Sequence, residues 1–273
     1  MVLTKKKKSS KSNILFIILE VICILIFFYA AIQLYMIFSD YKTASNEYET
    51  LAESVVEETE EQVLIEETIK EEAKEESVLD LPYDYEVPKY EVNLETVKVQ
   101  NPDTVGWIIL PDSKINYPIV KSKDNTEYLT TTFEGQIANS GAIFLDMNCA
   151  NDFSNQNAII YGHNMKNGSM FRALNNMTDK EYFWRHHIFC IDIGNGFEEY
   201  EVISCYQTVE TDLSSWQIGF ESLEAYETWL QGIVKRCNYD CVDYDVSKKT
   251  ITLSTCRGQS GGPGRFIVHL QKK

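Results

Sequence analysis

The chain has 273 residues, with 41 acidic against 25 basic side chains and a net charge of −16. That balance excludes a surface built to hold nucleic acid. The 44% of hydrophobic residues is ample for a core, but they are so unevenly spread that the length overstates the folded part.

Residues 1–13 form a basic tail carrying Lys5, Lys6, Lys7, Lys8 and Lys11. Residues 14–38 are a 25-residue apolar run interrupted by Glu20 and Gln33. A helix of that length spans about 37 Å, more than the ~30 Å hydrocarbon core. The run is too long for a cleaved signal and no small-x-small site follows it, so it reads as a single transmembrane anchor. Lysines before it and acids after it put the N-terminus in the cytoplasm and the remainder outside the cell membrane.

Residues 39–90 read as an acidic stalk. Between residues 40 and 89 there are 17 acidic and 4 basic side chains, a self-repelling composition that builds no core. Leu51, Val55, Val63 and Ile69 keep no steady heptad, so an extended coil and a charged helix both remain open.

Residues 91–273 form the exported domain. Its short apolar runs are TVGWIIL, INYPIV, GAIFLD, NAIIYGH, HIFCIDI, EEYEVISCYQTV, TITLSTC and RFIVHL, separated by Gly, Pro, Asn and Asp. They predict a mainly β fold, a mostly antiparallel sheet curled into a barrel or sandwich, with a few added helices. A short helix is expected over residues 94–99 and another in SMFRALNNM. The clearest helix is SLEAYETWLQGIVKRC: Ser222 is the N-cap, Leu223, Tyr226, Leu230, Ile233 and Val234 share one face, and Lys235 and Arg236 close it.

Cys23 lies in the anchor, and Cys149, Cys190, Cys205, Cys237, Cys241 and Cys256 face outward. Up to two disulfides can form among the first five of these, though a domain of this size does not need them. Cys237 and Cys241 lack the further ligands that zinc requires, and no acidic loop has calcium spacing, so neither a metal nor an organic cofactor is implied.

A cysteine closing a strand is ordinarily a core filler. Around Cys256, however, the chain supplies the other parts of a nucleophilic site. His163 ends the apolar strand of AIIYGHNM, where a scaffold presents side chains to a cleft. Arg265 opens the run nine residues after Cys256, so a hairpin brings the two strand ends side by side. A thiol with a pKa near 8.5 needs help to act as thiolate at neutral pH, and a guanidinium supplies fixed positive charge and oxyanion donors. Gly258, Gly261, Gly262 and Gly264 let the intervening loop turn back.

TLSTC followed by an arginine at the next strand, with YGHNM upstream, resembles the signature of sortases, the membrane-anchored cysteine transpeptidases of Gram-positive bacteria. The motifs DTVGWIILPDSKINYPIV, DNTEYL, GAIFLD and IIYGHNMKNGSMF resemble class B, over about residues 91–270. The resemblance implies a closed sortase β-barrel, with the helix of residues 222–236 as the class B insertion. It implies Cys256 as nucleophile, His163 as general acid/base and Arg265 as oxyanion stabiliser, with Asn116, Ser254 and Thr255 contacting substrate. Arg257 stands where relatives often carry an acid, making a second guanidinium a rival to Arg265. The implied partners are secreted proteins with a C-terminal sorting motif, and a peptidoglycan or pilin amine as acceptor. A secreted cysteine peptidase of the wall-hydrolase type and a non-catalytic surface module are the alternatives. His186, His187 and His269 are read as structural.

Overall fold

The computed structural model describes residues 10–58, 87–237, 239, 243–256 and 262–273. The chain divides into two compact units, Met1–Thr43 and Ala44–Lys273. One continuous helix, α1 (Ser10–Val55), contributes to both. In the first unit every side chain of residues 15–39 is exposed. An apolar helix with no buried face has no core to serve, and this one is long and apolar enough to cross a membrane.

In the second unit eight strands close into a barrel. They are β3 (Thr104–Ile109), β4 (Asn116–Val120), β5 (Ile143–Leu145), β6 (Asn157–Tyr161), β7 (Ile188–Asp192), β8 (Phe197–Val209), β9 (Thr250–Cys256) and β10 (Gly264–Lys272). The order around the barrel is β10-β8-β7-β3-β4-β5-β6-β9. Each of the eight apolar runs in the sequence supplies one strand, and closure leaves no edge for a second chain to pair with. Most neighbours are antiparallel, but β4 pairs β5 and β6 pairs β9 in parallel. Trp107, Ile119, Ile143, Ile160, Leu253 and Val268 are wholly buried in the core.

Of the helices, α2 (Leu94–Gln100) and α4 (Leu223–Val234) occupy the expected segments. The Ser222 hydroxyl caps α4 by accepting from the Ala225 N–H. Tyr226, Trp229, Leu230 and Ile233 pack against Ile203, Tyr206 and Ile267. Leu223 has the right spacing but is 60% exposed, the buried stripe beginning at Tyr226. Residues Phe171–Thr178 form a 3-10 helix, and a further short helix, α3 (Lys180–Arg185), is capped by Asp179.

The expected stalk is corrected at its beginning. Ala44, Tyr48 and Leu51 are only 3–4% exposed, and the folded unit begins with them. Their spacing makes a narrow helical stripe that an acidic composition hides. The Tyr48 hydroxyl donates to Gly141 O at 2.8 Å and accepts from Phe133 N–H at 3.1 Å. The Glu47 carboxylate accepts from the Thr132 hydroxyl at 2.8 Å and Glu134 N–H at 2.9 Å. Beyond the helix, β1 (Val56–Glu58) pairs antiparallel with β2 (Tyr90–Val92). The rest of the stalk, residues 59–86, lies outside the described residues.

Candidate active site

Cys256 is the last residue of β9, and its position follows from two pairings. In the antiparallel β9–β10 ladder, Cys256 stands directly opposite Arg265. In the parallel β6–β9 ladder, Tyr161 pairs with Ser254, and Gly162 N–H donates to Ser254 O at 3.2 Å. Two residues further along each chain are His163 and Cys256, so register alone carries the imidazole toward the thiol. Sulfur, imidazole and guanidinium line one groove of about 420 Å³.

The imidazole is held from outside the barrel ladder. Nε2 of His163 lies 2.8 Å from the carbonyl oxygen of Leu129, at the end of the 3-10 turn Glu127–Leu129. A carbonyl only accepts, so Nε2 carries a proton and Nδ1 is the nitrogen left to exchange one. Arg265 is fixed by three contacts: Nη1 donates to Gly262 O at 2.7 Å and Gly264 O at 2.9 Å, and Nη2 to the Glu210 carboxylate at 2.7 Å. The carbonyl of Cys256 accepts from the Asn175 amide at 3.4 Å.

The walls are mixed apolar and polar. Ser254 and Thr255 both line the groove. The Ser254 hydroxyl accepts from the Trp216 indole N–H at 3.2 Å, while the buried Thr255 hydroxyl has no partner among the described residues. Tyr161 and Asn125 also line the groove, and both donate to the buried Asp146 carboxylate, at 2.9 and 2.8 Å. Burial first, and then the charge of Asp146, raise the Tyr161 hydroxyl well above the usual phenol range, so it serves as a neutral donor.

Asn116 is not among the groove-lining residues, and its side-chain oxygen accepts from the Trp107 indole N–H at 2.7 Å. Arg257, the rival guanidinium, and Cys241 lie outside the described residues. Cys149 and Cys190 are buried thiols, pushed up to about 11 and about 12, in each case chiefly by burial. Cys205 and Cys237 approach to 4.0 Å between sulfurs, about twice the length of a disulfide bond. Among the described residues no group of three His, Cys, Asp or Glu is arranged to hold a metal. Asn125, Leu129, Phe144, Tyr161, Glu210, Leu213 and Trp216 line the groove without having been candidate site residues in the sequence. Of these, Asn125 and Leu129 lie in the DNTEYL motif, Phe144 in GAIFLD and Tyr161 in IIYGHNM, while Glu210, Leu213 and Trp216 lie in none of the motifs.

A sortase domain profile matches residues 108–273. Sortase B of Listeria monocytogenes is 36% identical over 177 residues, 64% of this chain and 72% of that protein. Sortase B of Staphylococcus aureus is 31% identical over 180 residues, 65% of this chain and 73% of its own. A solved substrate complex of S. aureus sortase B superposes with a TM-score of 0.67 at 25% identity, covering 86% of this chain and 98% of that one. The closed eight-stranded barrel and these matches together show that the chain belongs to the sortase family, among the class B cysteine transpeptidases.

Proposed function

We propose that this groove cuts the C-terminal sorting signal of a secreted protein after a threonine and transfers the protein to an amine. The observation that carries the reading is the single groove lined by Cys256, His163 and Arg265, which come from three separate strand ends. The Cys256 thiolate attacks the threonine carbonyl carbon, and the carbonyl electron pair moves onto oxygen, where Arg265 N–H groups stabilise it. When the tetrahedral species collapses, the C–N bond breaks and His163 delivers its Nδ1 proton to the departing amine. A thioacyl-enzyme remains. The incoming amine then loses a proton to His163, attacks the thioester and expels the thiolate, restoring the starting state.

Ser254 and Thr255 are read as substrate contacts along the same wall. The acceptor is a peptidoglycan cross-bridge amine or a pilin lysine. The apolar helix anchors the enzyme by a single pass, with its N-terminus in the cytoplasm and the barrel outside, where substrates wait on their own apolar tails.

The test is incubation of a chain beginning at residue 40 with a library of sorting peptides, followed by mass spectrometry. Wild type should gain the mass of an acyl group on Cys256, and the adduct should pass to added amine. Cys256→Ala should form no adduct, and His163→Ala and Arg265→Ala should form it at least about a hundred-fold more slowly. An unchanged adduct in Cys256→Ala would sink the reading. Hydrolysis that added amines never divert would favour the peptidase alternative.

A further inference from the structure

Of the three contacts that hold the Arg265 guanidinium, two are carbonyls within three residues of it in its own chain segment, Gly262 and Gly264. The third is the carboxylate of Glu210, the first residue beyond β8. Glu210 also grips this turn with its backbone, since its N–H donates to Pro263 O at 2.8 Å. One step back along the ladder, Val209 pairs with Gly264 and Thr208 with Arg265. The carboxylate is therefore the contact that ties the guanidinium to a different strand of the barrel.

A guanidinium has five N–H donors in one rigid plane. Three are used here, and among the described residues the Nε–H and the second Nη2–H have no partner. With one edge of the plane pinned, its rotation is set and the remaining donors keep a fixed aim. The Glu210 side chain is 52% exposed, and so open an ion pair contributes little to folding. Its consequence belongs in the groove, which both residues line beside Cys256 and His163.

We propose that Glu210 is the positioning residue of the reaction, holding the Arg265 plane so that its unused donors meet the oxyanion formed at Cys256. The inference rests on the transpeptidase reading of the groove. It acts on the transition state more than on substrate binding, so it should appear in kcat rather than KM.

The experiment compares steady-state transpeptidation of a sorting peptide, with an amine acceptor, for wild type, Glu210→Ala, Glu210→Gln, Arg265→Lys and the double variant Glu210→Ala/Arg265→Lys. Glu198→Ala is the control, because Glu198 pairs with Lys272 at 2.5 Å across the far end of the same two strands. Glu210→Ala should lower kcat about ten-fold with KM within about two-fold. Glu210→Gln keeps an accepting oxygen and should recover most of the loss, and Glu198→Ala should match wild type. In the Arg265→Lys background, Glu210→Ala should have little further effect, since the plane it holds is gone. A Glu210→Ala kcat at or above wild type, or an equal loss in both backgrounds, overturns the inference. If wild type makes no amine-dependent product, or Arg265→Lys is fully active, the reading of the groove itself fails and takes this inference with it.

Discussion

Gly162 separates Tyr161 from His163 in a space that admits no side chain. A Cβ there would lie 2.5 Å from Cδ1 of Ile143 and 2.6 Å from Cδ2 of Phe171. Both obstacles belong to buried side chains, so Gly162→Ala must push the packing or lift the chain that carries His163. We expect a cost of about 1–3 kcal/mol in urea unfolding and a fall in kcat larger than that loss of fold explains, measured at a temperature where the variant remains folded. Trp216 makes a complementary case in the same groove. Trp216→Phe removes the donor to Ser254 and part of the groove wall, so KM for the peptide should rise several-fold while thioacyl formation at saturating peptide stays near normal. At this scale the sequence drew attention to residues at or just beyond a strand end within a motif, since Cys256 closes β9 and His163 follows the end of β6 by two residues. Glu210 gave no such signal. It is an acid in an exposed turn, and only the β8–β10 register sets it against Arg265.

The eight strands were readable because each is a short apolar run bounded by turn residues, and strand burial leaves that mark whatever the topology. The parallel pairings were not readable, since β6 and β9 meet across 88 intervening residues, from Gly162 to Lys249. Those pairings nevertheless decide the site, because they set His163 level with Cys256. The end of α1 was hidden for a different reason: three buried residues among acids lower neither the charge nor the mean polarity of the segment. Tyr48 gives this docking a direct test. Its ring packs edge-on against Tyr117, with centroids 5.2 Å apart, and its hydroxyl satisfies both Gly141 O and Phe133 N–H. Tyr48→Phe keeps the ring and strands two buried backbone groups, so it should cost about 1–3 kcal/mol in urea unfolding. Tyr48→Ala should cost more, about 3–5 kcal/mol, by adding a cavity. If both variants unfold like wild type, the helix end does not hold this surface in solution.

A buried polar chain links the elements on one side of the whole barrel. His269 of β10 is fully buried, with Nε2 2.9 Å from the Tyr206 hydroxyl of β8 and Nδ1 2.8 Å from the Thr252 hydroxyl of β9. Thr252 in turn donates to Asn157 of β6. Tyr206 meets Ser215 and lies under the Arg236 guanidinium, which pairs with Asp212 at 2.6 Å. Burial first, and then the charge of Arg236, push the His269 imidazole down to about 3. Burial would by itself raise the Asp212 carboxyl, but hydrogen bonds from Ser214, Thr208 and Arg236 and the guanidinium charge outweigh it and hold the group well below the usual carboxylate range. Both groups thus bind a proton less readily in the folded chain than in the unfolded one. The unfolded chain takes up the extra proton, so stability falls as pH falls. For His269 the loss begins near the ordinary imidazole value of about 6.5 and continues toward 3, and for Asp212 it begins near about 4. Urea unfolding of the barrel unit between pH 7 and pH 5 should therefore show stability declining with a slope approaching about 1.4 kcal/mol per pH unit from His269. His269→Gln should be less stable at pH 7, because it breaks the relay, yet its slope over the same range should be flatter. A variant that kept the full slope would mean that the acid sensitivity resides elsewhere and that His269 does not stay neutral in the fold.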